Sequence, residues 1–147
     1  MPLSTIKSYT LVFVQFLCIG LILITGPVLP TNLLLLAIEL SGAALGIWAI
    51  LSMGIGRFNI IPDPKEGSGL VTRGPYRLIR HPMYLSLLLL TLPLIVADFI
   101  WWRGLFWLLL LIDLILKLNY EETLLEKKLD GYSEYRRHSY RLIPFIY

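Results

Sequence analysis

Four apolar runs, each close to the length of a bilayer crossing, constrain this chain more than any other feature. They lie at about Tyr9–Leu29, Leu33–Ile55, Met83–Asp98 and Trp101–Leu118. A helix needs roughly 20 apolar residues to cross the hydrocarbon at a rise of 1.5 Å per residue. The third run is short, so it is expected to be tilted or slightly embedded. With 56% hydrophobic residues and a mean hydropathy of +0.72, the 147 residues do not read as a soluble domain. The prediction is an all-α membrane bundle of four transmembrane helices, forming one domain over residues 1–147. Only Lys7 precedes the first run and no A-x-A-like site follows it, which argues against a cleaved signal peptide. The single cysteine, Cys18, lies within that run and forms no intrachain disulfide.

Charge sets the orientation. Lys7, the group Arg57, Lys65, Arg73, Arg77 and Arg80, and the six basic residues from Lys117 to Arg141 fall on one side of a four-span bundle; only Arg103 falls on the other. The positive-inside rule places both termini and the long second connection in the cytoplasm. Basic flanks that fix topology and meet anionic headgroups explain the isoelectric point of about 9.1 better than nucleic-acid binding does.

The connections differ in kind. Gly26-Pro-Val-Leu-Pro-Thr-Asn32 is a tight turn with two helix breakers, after which Thr31 or Asn32 can cap the second helix. That helix carries Ser41, Gly42, Ala43, Ala44 and Gly46, small enough to let a neighbouring helix come close. The connection Arg57–Arg80 is long and rich in Gly and Pro, as functional loops often are. Asp98–Arg103 is so short that the third and fourth spans must form an antiparallel hairpin, with Trp101 and Trp102 at an interfacial belt. The fourth helix is predicted to continue through Glu121–Leu129 as an amphipathic cytoplasmic extension, ended by Gly131 as C-cap. Pro144 excludes a helix continuing through the aromatic and basic tail.

Polar chemistry is expensive near lipid, so function is sought where it clusters. Arg80-His81-Pro82-Met83-Tyr84 opens the third span. Proline is favoured at the first helical position, which puts His81 or Arg80 at the N-cap. The free N–H groups of that helix end, with the guanidinium of Arg80, suit a carboxylate or phosphate. His81 can donate or accept a hydrogen bond near neutral pH. The plainer alternative is an interfacial Arg/Tyr anchor with a histidine cap. Beyond the fourth span stand Asn119, Glu121 and Glu122. Neighbouring carboxylates on a helix point apart, so one can bind a cationic or hydroxyl group while the other faces solvent or an arginine. Asp113, Lys117 and Glu121 share a helix face, either as an Asp113–Lys117 pair or as the lining of a polar pocket. Glu39 is an isolated intramembrane acid with no legible partner. No G-x-G-x-x-G, P-loop or metal-ligand spacing is present, and two histidines cannot build a His-rich metal site.

The run Leu70-Val-Thr-Arg-Gly-Pro-Tyr-Arg-Leu-Ile-Arg-His-Pro-Met-Tyr84 resembles the signature of the isoprenylcysteine carboxyl methyltransferase family and its phospholipid methyltransferase relatives. The second signature of that family, a glutamate pair, a Y-x-x-Y and a terminal I-P, is matched by Glu121-Glu122, Tyr132-Ser-Glu-Tyr135 and Ile143-Pro144. The match covers roughly Leu51 to the C-terminus. The resemblance implies an integral membrane methyltransferase that uses S-adenosylmethionine, held within about residues 57–147, and methylates a lipidic or prenylated acceptor at a carboxylate or an amine. It makes Arg80, His81, Pro82, Tyr84, Glu121 and Glu122 the cofactor-binding candidates, and Arg80, His81 and Glu121 the catalytic ones. Ser86 departs from the pattern, which has glycine two residues after the tyrosine. Sterol reductases that use NADPH look similar around an R-H-x-x-Y segment, and a non-catalytic lipid-binding protein is the remaining alternative. Pro82 and the glutamate pair favour the methyltransferase.

Overall fold

The structure is a computed structural model that describes residues 3–54 and 69–147. Among the described residues there are five α-helices and no strand: α1 Leu3–Ile24, α2 Leu33–Met53, α3 Pro82–Ala97, α4 Trp101–Lys128 and α5 Tyr132–Arg137. A 3-10 turn at Gly74–Arg77 lies between α2 and α3. The first part of the long connection, through residue 68, lies outside the described residues.

The local sequence explains the helix ends. The first run was expected to continue to Leu29, but α1 stops at Ile24. Gly26 precedes Pro27, and a residue before proline avoids the helical region. Asn32 caps α2, its side chain accepting from the N–H groups of Leu34 at 2.9 Å and Leu35 at 3.3 Å. Gly54 ends α2 in the left-handed region, φ +89°, with its N–H on the Ile50 carbonyl. At the far end of α4 the expected C-cap is corrected. Leu129, not Gly131, closes the helix, donating its N–H to Leu125. Gly131, at φ +82°, instead turns the chain into α5, a short helix that the sequence reading did not anticipate.

Two helices, Ile6–Ile24 and Leu33–Met53, are long and apolar enough to cross a membrane, against the four expected. The other two expected spans miss on different grounds. α3 is apolar but has only 16 residues, whereas α4 has 28 but carries Arg103, Asp113 and Lys117 along its apolar part. Phe13, Leu40, Trp48 and Leu51 are exposed on α1 and α2, an apolar surface suited to lipid rather than water.

The helices pack as two pairs, α2 on α3 and α1 on α4, more closely than the α3–α4 hairpin partners pack on each other. Small residues make the first pairing possible, as expected. A Cβ at Gly42 would stand 2.8 Å from the Leu89 Cβ and 3.0 Å from the α3 backbone. A Cβ at Gly46 would stand 2.8 Å from the Ser86 hydroxyl. Ser86 is therefore accommodated: the missing glycine on α3 is matched by Gly46 on α2. Gly42→Ala is expected to lower stability by about 1–3 kcal/mol through overpacking, read as a lower thermal midpoint in detergent. An unchanged midpoint would show that α2 and α3 do not approach this closely.

The core joins Cys18 and Ile22 of α1, Leu88, Leu94 and Ile95 of α3, and Leu110, Leu114 and Leu118 of α4. Arg103, the single basic residue expected on the far side, is fully buried. It donates to the Asp98 carbonyl at 2.6 Å and to the Ile22 carbonyl at 3.3 Å, with the Asp98 carboxylate 3.2 Å away. A cation over the last carbonyls of α1 is favourable, and its guanidinium fills the space that a side chain at Gly26 would need. This arginine ties the α1 C-terminus to the start of α4.

Candidate functional site

Three stretches distant in sequence meet at the other end of the molecule: the start of α3, the last turns of α4, and the tail after α5. Pro82 occupies the first turn of α3 and His81 its N-cap. The His81 side chain makes no cap hydrogen bond; its ring faces the α4 glutamates. Nε2 lies 3.4 Å from Glu122 Oε1 and Nδ1 lies 3.7 Å from Glu121 Oε2. Tyr84, one turn on, stacks on the His81 ring with centroids 5.3 Å apart and donates its hydroxyl to Glu121 Oε2 at 2.6 Å. The two glutamates bracket the His81 ring from its two nitrogens, and their further partners differ as expected, an arginine for one and a hydroxyl for the other. Glu122 is buried against Arg80 and His81, and Glu121 is half-buried against Tyr84.

Arg80 departs from its expected place. Its Nε donates to Glu122 Oε1 at 2.6 Å, and its Nη1 donates to the carbonyls of Ser139 and Arg136. The Arg80 N–H goes to Tyr140 O at 2.7 Å, the His81 N–H to Arg141 O at 3.1 Å, and Tyr140 returns its own N–H to Leu78 O at 2.9 Å. The tail therefore lies beside residues 78–81 as a short parallel bridge. The N–H groups of Tyr84 and Leu85 both go to the His81 carbonyl. The open anion site expected at this helix end is therefore largely satisfied within the chain. Arg80 acts as the clamp that joins α3, α4 and the tail.

The tail brings in Arg141, which sequence reasoning did not single out, beside the tyrosines of the Y-x-x-Y already quoted. Arg141 Nε stands 3.2 Å from Glu122 Oε2, charge against charge without hydrogen-bond alignment. Tyr135 donates to the Tyr76 carbonyl at 2.6 Å, so the Y-x-x-Y docks on the Gly-Pro-Tyr turn. That turn is seated on α2, where Arg73 donates to the Ser52 carbonyl at 2.8 Å and Gly74, at φ +61°, leaves no room for a side chain beside Ser52. Tyr76 and Tyr132 are buried and their hydroxyls have no partner among the described residues. Tyr76 stood in the motif already quoted, whereas nothing in the sequence pointed to Arg141 over its basic neighbours.

Electrostatics separates the groups. Burial raises the Glu122 carboxyl, but hydrogen bonds from His81 and Arg80 and their nearby charge outweigh it and bring it down to about 2. Burial drives Tyr76 and Tyr132 well up, with Glu121 and Glu122 respectively adding to it. Tyr135 is pushed up to about 12, chiefly by burial. At neutral pH Glu122 is a fixed anion and the three phenols keep their protons as donors. Glu121, partly open and holding a single phenol, is free to accept further donors.

Of the two arrangements expected for Asp113 and Lys117, the close ion pair is not formed, and Lys117 lines a cavity. Lys117 donates to Gln15 of α1 at 2.7 Å, and Asp113 Oδ2 is buried without a hydrogen-bond partner among the described residues. Glu39 is also buried, with no hydrogen-bond partner for Oε2 among the described residues. Beside Tyr84 opens a cavity of about 410 Å³ lined from all four long helices.

No curated protein matches the chain. Residues 33–130, well over half of it, match the phospholipid methyltransferase family. That span takes in α2 through α4, with the motif at the start of α3 and both glutamates. These residues and this match make the chain a member of the phospholipid methyltransferase family, a family of membrane methyltransferases.

Proposed function

We propose that this chain is an integral membrane methyltransferase that takes its methyl group from S-adenosylmethionine and delivers it to a lipid acceptor. In this reading α3 and α4 also cross the bilayer, and both termini lie in the cytoplasm, following the charge asymmetry. One observation carries the reading. Tyr84 and Glu121, 37 positions apart, are hydrogen-bonded at a point where the polar cluster and an apolar cavity share a wall.

The residues present suit the cofactor. Glu121 has acceptor capacity for an ammonium or for ribose hydroxyls, and the unpartnered buried hydroxyls of Tyr76 and Tyr132 are donors awaiting an acceptor. His81, Pro82 and Tyr84 shape the same wall, and Arg80 with Glu122 holds it rigid. Arg141 is the cation nearest to this cluster with part of its surface open. When bound, the cofactor supplies a methyl group on a sulfonium for in-line displacement. The chain's part is to position the reactants and exclude water, which can account for much of a rate enhancement. If the acceptor is a carboxylate, a cationic side chain orients it. If it is an amine, His81 or Glu121 stands ready to take its proton.

Calorimetric titration of the detergent-purified protein with S-adenosylhomocysteine, with NADPH in parallel, tests this reading. Saturable binding of S-adenosylhomocysteine alone is expected. Binding of NADPH alone would replace the reading with a reductase, and binding of neither by a folded protein would leave a non-catalytic lipid-binding role.

A further inference from the structure

Beyond Arg141 the tail closes on itself. Ile143 and Tyr147 exchange both backbone hydrogen bonds, at 2.9 and 3.0 Å. Leu142 adds a bond to Tyr147 O at 2.8 Å, and Ile146 one to the Ile143 carbonyl at 3.2 Å. Pro144 takes the second position of this turn, where proline is favoured, and Phe145 the third, at φ +66°. That is the left-handed region, which glycine enters freely and a bulky residue rarely does. Among the described residues Phe145 is the only one with a side chain that adopts it. A strained residue kept in place of glycine points to a use for its side chain.

The use is not packing in the core. Phe145 and Ile146 are each 80% exposed, and Ile143 is 42% exposed. The tip is nonetheless firmly mounted. Tyr140 meets the Phe145 ring with centroids 5.0 Å apart, and Arg141 donates to the Tyr147 hydroxyl at 2.9 Å. These two mounts are the residues whose backbones bond to Leu78, Arg80 and His81.

Depth says what covers the tip. His81 is the N-cap of α3, so the tail lies level with the end of an apolar helix. Leu78, at the same level, is exposed, and so is Arg77 beside it. Exposed apolar side chains next to a basic residue, at the depth where an apolar helix begins, suit the boundary between headgroups and acyl chains. They also continue the exposed apolar surface of α1 and α2.

We propose that the turn Ile143–Tyr147 is an interfacial anchor, with Phe145 and Ile146 inserted at the headgroup boundary of the leaflet that α3 enters. The anchor holds the tail, whose backbone bonds close the candidate site, at the membrane surface. It rests on the reading of α3 as a membrane helix and is independent of the methyl donor.

The test is fluorine NMR with para-fluorophenylalanine in place of Phe145 alone, on single copies of the protein in phosphatidylcholine nanodiscs. The resonance is expected to broaden severalfold with a lipid that carries a nitroxide high on its acyl chain. It should change little with a gadolinium chelate in the water. Ile146→Asp, which makes insertion costly, should raise the response to the chelate severalfold. Broadening by the chelate alone in the wild-type protein puts the tip in water and overturns the proposal. Insensitivity to both agents means that protein covers the tip and overturns it too, as does an Ile146→Asp variant that responds like the wild type. The wild-type comparison needs no variant to fold. The same label at Phe13, exposed on α1, separates the failures. If Phe13 responds to lipid and Phe145 to water, the anchor fails alone. If both respond to water, the membrane reading fails with it.

Discussion

Replacing Arg80 with alanine is expected to lower stability by about 3–5 kcal/mol, because it strands the buried carboxylate of Glu122. The side chains of Arg80 and Glu122 are 6% and 5% exposed and 2.6 Å apart. The guanidinium also holds the carbonyls of Arg136 and Ser139, so its loss should release the tail from α3. Arg80→Lys should recover little, since a single ammonium cannot span both directions. Adding Glu122→Gln to Arg80→Ala should return part of the loss, since it removes the stranded charge. Chemical or thermal unfolding in detergent reads all three variants. A loss below about 1 kcal/mol for Arg80→Ala would show that the clamp contributes no more than an exposed ion pair. The same pair sets an acid limit. Glu122 sits at about 2 in the folded chain against an ordinary 4.5, so its contribution is fully present above about pH 4.5. It is lost as the pH falls through about 2.

Glu121→Gln is expected to weaken S-adenosylhomocysteine binding on the order of 10- to 100-fold, the loss of a charge-assisted contact, while leaving the thermal midpoint nearly unchanged. Glu121 is the half-open member of the pair, and its hydrogen-bond partner is the Tyr84 hydroxyl, which can equally donate to an amide oxygen. The contrast with Glu122 is the informative part. The buried glutamate should act on stability, the half-open one on affinity. Calorimetry and thermal unfolding on the same preparations check both. Unchanged affinity in Glu121→Gln would remove Glu121 from the cofactor site.

Much of this separation was illegible in the chain. Glu121 and Glu122 are adjacent and chemically alike; the roughly 100° between neighbouring helix positions sends one to Arg80 and the other to Tyr84. Arg80 read as a free anion ligand because a sequence shows donors but not the carbonyls that occupy them. The tail residues Tyr140 and Arg141 close the site through backbone bonds, which no side-chain pattern encodes. Lys117 read either as half of an i,i+4 pair with Asp113 or as part of a pocket lining, and its hydrogen-bond partner, Gln15, comes from another helix.

The sequence by itself determined the helical class, the apolar runs of α1 and α2, a cap for α2 at Thr31 or Asn32, and the motif residues whose resemblance pointed to the family. These follow from short-range steric rules, from residue size, and from the cost of placing polar groups in lipid. Only the tertiary structure decided which helices pair, which charges are satisfied, and where an apolar cavity meets the polar cluster. Those outcomes depend on contacts between segments far apart in the chain, where the partner of a buried charge is chosen by packing rather than by spacing.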